Sequence, residues 1–304
     1  MEPFPFKEMD RGQHVQVAGR QIWVAQVGDG PALLLLHGGG PGATGASNFI
    51  RNIPVLARHF RLIVPDLPGY GRSTKGIDRA DPFGDLADAM LGLLDALGVE
   101  KVHALGNSLG GACALRLALE RRERIERLVL LGPGGIDTTQ GRPSDGLKHL
   151  LGYYAGEGPT REKIATFLRD YLVFDGSAVS EAVIEERFAA SIDPEIVANP
   201  PLVVPKDLSN ALLLDLAKDP RLTTLATPTL VFWGMEDRVN RPSGARSLQE
   251  RMFNCDLYLF SRTGHWVQWE RAAEFNAATI AFLSQSTAMR SEPHMRTATP
   301  QEAS

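Results

Sequence analysis

Val102-His103-Ala104-Leu105-Gly106-Asn107-Ser108-Leu109-Gly110-Gly111 decides the architecture of this chain. A short apolar run, Val102–Leu105, leads into a Gly-x-Ser-x-Gly turn, and a helical pattern, Leu109–Arg121, leads out of it. The turn is so tight that bulky side chains around Ser108 would clash, hence Gly106 and Gly110. The helix start behind Ser108 adds backbone N–H groups and the positive end of a helix dipole. Strand, turn and helix in this order present a serine oxygen as a nucleophile. Taken alone, the segment also fits a glycine-rich turn with an incidental serine.

Outward from this turn, short runs rich in Val, Ile and Leu recur at Ala32–Leu36, Arg61–Pro65, Arg127–Leu131, Thr229–Trp233 and Leu257–Phe260. They are continuous rather than alternating, as in strands buried on both faces of a parallel sheet. His14–Val17 and Gln21–Val27 read as an antiparallel hairpin in front of them. Helical patterns fall near Phe83–Leu97, Leu109–Arg121, Ala245–Met252 and Ala272–Ser284. The alternation predicts an α/β chain with a mostly parallel sheet flanked by helices. It breaks over residues 137–206, a helical stretch with prolines at 159, 194, 200, 201 and 205, which reads as a helical cap inserted over the strand ends. Residues 1–136 and 207–286 then form the two parts of one core, and the polar residues 287–304 a disordered tail.

Two further segments complete a chemical constellation. His37-Gly38-Gly39-Gly40-Pro41-Gly42 directly follows Ala32–Leu36. Such a glycine loop lets a backbone N–H approach a substrate oxygen, and with the N–H of the residue after the nucleophile, Leu109, it forms an oxyanion hole. It lacks the Lys-Ser/Thr ending of a phosphate loop and the G-x-G-x-x-G spacing of a dinucleotide site. Gly234-Met235-Glu236-Asp237 and Gly264-His265-Trp266 follow the last two runs. The order Ser108, Asp237, His265 is that of the α/β-hydrolase fold, with His265 as base and Asp237 orienting it. Glu236 is the rival acid; Asp237 is preferred for its place three residues past Gly234. His37 reads as shaping the loop. His14, His59, His103, His149 and His294 lack a strand-end position beside a glycine.

Composition narrows the remaining classes. Of 304 residues 43% are hydrophobic and 22% charged, ordinary for a globular chain with a sizeable core. A net charge of −4 argues against nucleic-acid or polybasic membrane partners. The apolar runs are strand-sized, too short to span a bilayer. Two cysteines are too few for a disulfide framework. No secretory leader or metal-ligand spacing stands out, and no cofactor is required. The expectation is a cytoplasmic enzyme.

Several segments resemble the meta-cleavage product hydrolases, α/β-hydrolases that cut a carbon–carbon bond in 2-hydroxy-6-oxohexa-2,4-dienoates. They are residues 37–43, Asn48-Phe49, Arg51-Asn52-Ile53, Asp66-Leu67-Pro68-Gly69-Tyr70-Gly71, residues 106–111, Gly132-Pro133-Gly134-Gly135, Glu236-Asp237-Arg238-Val239 and Gly264-His265-Trp266-Val267-Gln268. The resemblance runs from about residue 30 to 283. It implies a dienoate substrate, a homo-oligomer, Gly39 and Leu109 as the two oxyanion donors, and further site residues. Asn48 and Asn107 would hydrogen-bond the dienoate beside Gly40, Arg187 would hold its carboxylate, Ser177 would touch the same end, and Trp266 would line the pocket. Ala46 departs from a bulkier residue in relatives, which is expected to reshape the pocket. An ester or lactone hydrolase with the same triad, or a ligand receptor without turnover, remains an alternative. The group on C6 is not legible. Leu147, Leu150, Tyr153, Phe167, Leu172 and Phe174 are the apolar candidates to surround it.

Overall fold

Along β3 (Ala32–Leu36), Leu33 and Leu35 pack into one apolar cluster and Leu34 and Leu36 into another, and all four are fully buried. A strand covered on both faces carries apolar side chains at every position, so its sequence does not alternate. In β6 (Ile125–Leu131) and β7 (Thr229–Gly234) the same split recurs, with Leu128, Leu130, Val231 and Trp233 on one face and Val129, Leu131, Leu230 and Phe232 on the other.

The structure is a computed structural model and describes residues 9, 11–204 and 213–285. Its eight strands form one sheet in the order β1-β2-β4-β3-β5-β6-β7-β8. The others are β1 (Gln13–Val17), β2 (Arg20–Val27), β4 (Arg61–Pro65), β5 (Val102–Asn107) and β8 (Cys255–Phe260). β1 pairs with β2, and β2 with β4, antiparallel; the pairings β4·β3, β3·β5, β5·β6, β6·β7 and β7·β8 are parallel. Helices Pro82–Ala96 and Leu109–Glu120 cover one face, and helix Ala272–Leu283 the other. Strand limits differ from the sequence reading by no more than two residues. β6 starts earlier, at Ile125, because the exposed Glu126 interrupts its apolar run. β8 starts at Cys255 because an edge strand is only partly covered and its polar Asp256 hides the period.

Between β6 and β7 lie helices Asp145–Gly152, Arg161–Thr166, Glu181–Ser191 and Pro194–Ala198, with a π-helical turn at Phe167–Leu172. Ser144, Thr160 and Ser180 fix three of the starts, each side-chain oxygen accepting the N–H three residues on. Their inner sides, including Leu150, Ile164, Phe167, Leu172 and Ile184, form a third apolar cluster with Val239, Trp266 and Trp269. Val239 follows β7 and the tryptophans follow β8, so this cluster sits on the loops at the strand ends. The roots of the insertion are tied together. Buried Asp215 accepts the N–H of Asp137 and Thr139 and the Thr139 hydroxyl, and the Leu216 N–H donates to Gly135 O. Pro205, Lys206 and the expected tail, residues 287–304, lie outside the described residues. Among those described, no helix is long and apolar enough to cross a membrane.

Candidate active site

Ser108 sits where β5 gives way to helix Leu109–Glu120, at φ 52° and ψ −113°. A serine rarely adopts this conformation unless its surroundings impose it. Its N–H donates to Leu131 O at 2.9 Å, and its carbonyl accepts the Gly134 N–H at 2.8 Å. A Cβ at Gly106 would strike the backbone of Gly110 and Gly111, and one at Gly110 the backbone of Leu36 and His37. The glycines of the turn are thus required by close approach, as the motif demands.

The Asp237 carboxylate is buried in the turn after β7. Its Oδ1 accepts the N–H groups of Val239 and Asn240, each at 2.8 Å, while Oδ2 faces His265 Nδ1 at 2.7 Å. That division fixes the carboxylate's orientation and leaves Nε2 as the imidazole atom free to take a proton. The His265 N–H is in turn held by Leu172 O at 2.8 Å. Glu236, the rival acid, turns elsewhere: its Oε2 accepts the Thr263 N–H at 2.9 Å and braces the loop before His265.

In the glycine loop, His37 Nδ1 pairs with Gly38 O and Nε2 accepts the Leu67 N–H. Both ring nitrogens are occupied in the neutral form, and burial pushes the imidazole's pKa down. His37 therefore shapes the loop, as expected. Gly39 holds Tyr70 by its carbonyl at 3.1 Å. Among the described residues, neither the Gly39 nor the Leu109 N–H has a protein acceptor. Two donors without partners beside the serine suit a developing oxyanion.

These groups meet in a cavity with about 310 Å³ of empty space including its mouth, lined by Gly38, Gly39, Gly40, Asn48, Asn107, Ser108, Arg187, His265 and Trp266 and by the apolar Leu150, Phe167, Leu172 and Val239. Arg187 is 3% exposed. Its Nε donates to Pro41 O at 2.9 Å, its Cζ lies 5.8 Å from the centre of a Trp266 ring, and among the described residues it has no ion pair. Burial pushes the guanidinium down to about 10, opposed by the negative field of Glu186. It stays charged at neutral pH. The loop glycines explain themselves here: a Cβ at Gly40 would lie 2.7 Å from the guanidinium, and one at Gly42 would collide with the Arg187 carbonyl. Glu181, a possible surface partner for Arg187, is taken instead by Arg161 and Arg169.

Asn48 and Asn107 belong to a directional chain. Gln268 Nε2 donates to Asn48 Oδ1 at 2.9 Å, Asn48 Nδ2 reaches Asn107 Oδ1 at 3.4 Å, and Asn107 Nδ2 donates to Leu131 O at 3.3 Å. Trp266 Nε1 donates to Asn48 O at 3.2 Å. The sequence reading missed Gln268 as a member of this chain. Its signal was the place three residues after His265, where a short helix turns the chain back.

Two expectations are corrected. Ser177 is exposed, bonded to its neighbour Asp175 at 2.6 Å, and absent from the cavity wall. It serves a local turn at the start of a 3₁₀ segment rather than the carboxylate end. Ala46 packs against the apolar cluster of Leu33, Leu35 and Phe49 and is absent from the cavity wall, so it does not shape the pocket by direct contact. Of the apolar candidates, Leu150, Phe167 and Leu172 line the cavity. Tyr153 is bound to Ser191 inside the insertion, Leu147 packs on the third cluster, and Phe174 lies under Arg262.

The sequence pattern of the α/β hydrolase fold matches residues 31–272. The chain is 38% identical to the 2-hydroxy-6-oxo-6-phenylhexa-2,4-dienoate hydrolase of Burkholderia cepacia over 87% of its own length and 91% of the relative's. It is 37% identical to a 2-hydroxy-6-oxononadienedioate/2-hydroxy-6-oxononatrienedioate hydrolase of Comamonas testosteroni, again over 87% and 91%. Among solved structures, the meta-cleavage product hydrolase CumD of Pseudomonas fluorescens IP01 superposes with a TM-score of 0.79 at 30% identity, covering 90% of this chain and 97% of that one. A shared fold at this coverage, a shared pattern and this level of identity mean that the chain belongs to the α/β-hydrolase family and, within it, to the meta-cleavage product hydrolases.

Proposed function

We propose that the enzyme hydrolyses the C5–C6 bond of 2-hydroxy-6-oxohexa-2,4-dienoates formed by ring fission of aromatic compounds. The observation that carries this reading is Arg187, a buried guanidinium that has no ion pair among the described residues and lies in the same cavity as Ser108 and His265. A neutral ester gives such a group nothing to hold, whereas a dienoate brings a carboxylate that fits its planar fork.

In this reading the dienol first ketonises, His265 carrying the proton to C5. Asn48, Asn107 and Gly40 hold the chain between Arg187 and Ser108. Ser108 then attacks the C6 carbonyl, its proton passing to His265, and the oxyanion rests on the Gly39 and Leu109 N–H groups. The C5–C6 bond breaks with its electron pair taken up by the newly formed ketone. Water releases the acyl group as a carboxylic acid, and 2-hydroxypenta-2,4-dienoate leaves. Each step uses this chain's side chains, and none calls on a metal or cofactor. Residues 137–206 act as the cap over this site.

Sheet order gives the substrate a direction. Arg187 rests on the loop after β3, Ser108 follows β5, and Val239 follows β7. The carboxylate end therefore lies on the β3 side and the C6 substituent on the β7 side. There the wall is Leu150, Leu172 and Val239. A second carboxylate on C6 would meet apolar surface, so the favoured C6 group is neutral.

The test mixes the protein with the coloured 6-phenyl dienoate and, separately, with the nona-2,4-dienedioate, and follows loss of absorbance and the acids released. Stoichiometric benzoate, abolished in Ser108→Ala, supports the reading. A kcat/KM at least about tenfold higher for the phenyl compound supports the neutral C6 group. No turnover of either sinks the proposal. We place the enzyme in the cytoplasm, which fits its two unpaired thiols, Cys113 and Cys255, and expect a homo-oligomer.

A further inference from the structure

The loop that carries His265 is laced to the inserted helices. Leu172, the last residue of the π-helical turn and part of the pocket wall, accepts the N–H groups of His265 at 2.8 Å and Trp266 at 3.2 Å. Glu270 closes the same joint from the other side. Its Oε1 accepts the Gly264 N–H at 3.0 Å and its Oε2 the Phe174 N–H at 2.7 Å. The short helix Val267–Glu270 makes this possible by turning the chain back, so that a side chain five residues after the base returns to the residue before it.

A carboxylate accepting at both oxygens is in the arrangement that suits its ionised form. Its pKa is raised on balance, by burial first and then by the Asp237 charge, against the two N–H donors and His265, which hold it down. The other charged groups around it are committed elsewhere or face outward. Arg271 is paired with Glu274, Arg262 lies over the Phe174 ring, and the exposed Asp175 is bonded to Ser177.

We propose that Glu270 is a positioning residue for His265, clamping the base loop to the Leu172 wall of the pocket and adding its negative charge to that of Asp237. The proposal rests on the reading of His265 as the base. It assigns two effects to one carboxylate. The clamp keeps Nε2 in place while the proton moves twice, once in ketonisation and once in the attack of Ser108. The charge favours the imidazolium that forms during each proton transfer.

Glu270→Gln separates these effects from a merely structural one. The amide fills the same space, but one of its ends becomes a donor facing a donor, and the charge is gone. The experiment measures kcat, KM and the pH profile of kcat/KM for the wild type, Glu270→Gln, Glu270→Asp and, as a surface control, Glu274→Gln. Substrates are the 6-phenyl dienoate and p-nitrophenyl acetate. Glu270→Gln is expected to lose kcat by about tenfold or more on both substrates, with KM within about threefold. Its acid limb should move to lower pH by about half a unit or more, because a negative charge that favours the imidazolium over the neutral ring has been removed. Glu270→Asp keeps the charge and shortens the reach. Its kcat should fall while its acid limb stays. Glu274→Gln should match the wild type.

Wild-type kcat and an unmoved acid limb in a folded Glu270→Gln would overturn the proposal. So would a kcat loss with an unmoved limb and a matching drop in melting temperature, which marks a structural role only. If Glu270→Gln does not fold, wild-type kcat in Glu270→Asp overturns the clamp. If the wild type ignores the dienoate but turns over the ester, the proposed substrate fails and the ester measurements still decide the role of Glu270.

Discussion

At the scale of single residues, Asp237 and Glu236 are neighbours with opposite employments. Asp237 meets the imidazole, and Glu236 meets the Thr263 backbone. Asp237→Asn should therefore lower kcat on the order of a thousandfold or more, because an amide favours the wrong tautomer. Glu236→Gln keeps an acceptor for the Thr263 N–H and should stay within about threefold of wild type. The reverse ranking in steady-state kinetics would move the acid to Glu236. Arg187→Ala should cut kcat/KM for dienoates about a hundredfold, roughly 3 kcal/mol, the loss expected when a charged ligand group loses its partner in a dry site. The loss on p-nitrophenyl acetate should be at least about tenfold smaller. Equal losses on the two substrates would point to a damaged cap. The three proposed triad positions stand out in the sequence because each follows a strand-sized apolar run with a glycine no more than three residues before it. Arg187 was readable only through resemblance. Its burial has a local trace, the stripe Ile184, Arg187, Ser191 at spacings of three and four, but a stripe does not reveal what it faces.

At the scale of elements, the glycine loop and helix Glu181–Ser191 are fitted backbone to backbone. Gly42 sits at φ +65°, and a Cβ there would meet the Arg187 carbonyl. Gly42→Ala should destabilise the fold by about 2 kcal/mol or more in urea unfolding and weaken dienoate binding as Arg187 is displaced. Unchanged stability and KM would show that the loop can yield. Strands and core helices were legible within two residues because burial on both faces leaves an uninterrupted apolar record. The insertion was legible as helical but not in its inward directions. Ser177 illustrates why: a serine in a polar turn reads the same whether the turn faces a pocket or water, and here it faces water. Ala46 is the converse case, since a small residue beside the glycine loop packs against the apolar cluster of Leu33, Leu35 and Phe49.

At the scale of the whole molecule, β8 ends the sheet with Tyr258 and Leu259 exposed, and the preceding Phe253 is 74% exposed. An open strand edge beside apolar side chains invites pairing unless it is covered. Light scattering at micromolar concentration should give at least a dimeric mass, and Leu259→Glu should shift it downward. A monomeric mass for the wild type would remove the oligomer from the reading. The knot at Asp215 has another kind of consequence. Both roots of the inserted helices are fastened at Asp215 and Leu216, to Asp137, Thr139 and Gly135, so the insertion is a cassette whose two ends enter one socket, while Leu172, Phe174 and Arg187 also tie it to the loops beneath. Ser108, Asp237 and His265 belong to the socket; Arg187 belongs to the cassette. In the proposed reading, exchange of that one piece of gene would keep Ser108, Asp237 and His265 and replace the residue that holds the substrate's carboxylate, provided the new piece restored the bonds that Leu172 and Phe174 make to the His265 loop, so that selectivity and chemistry can be inherited from different parents.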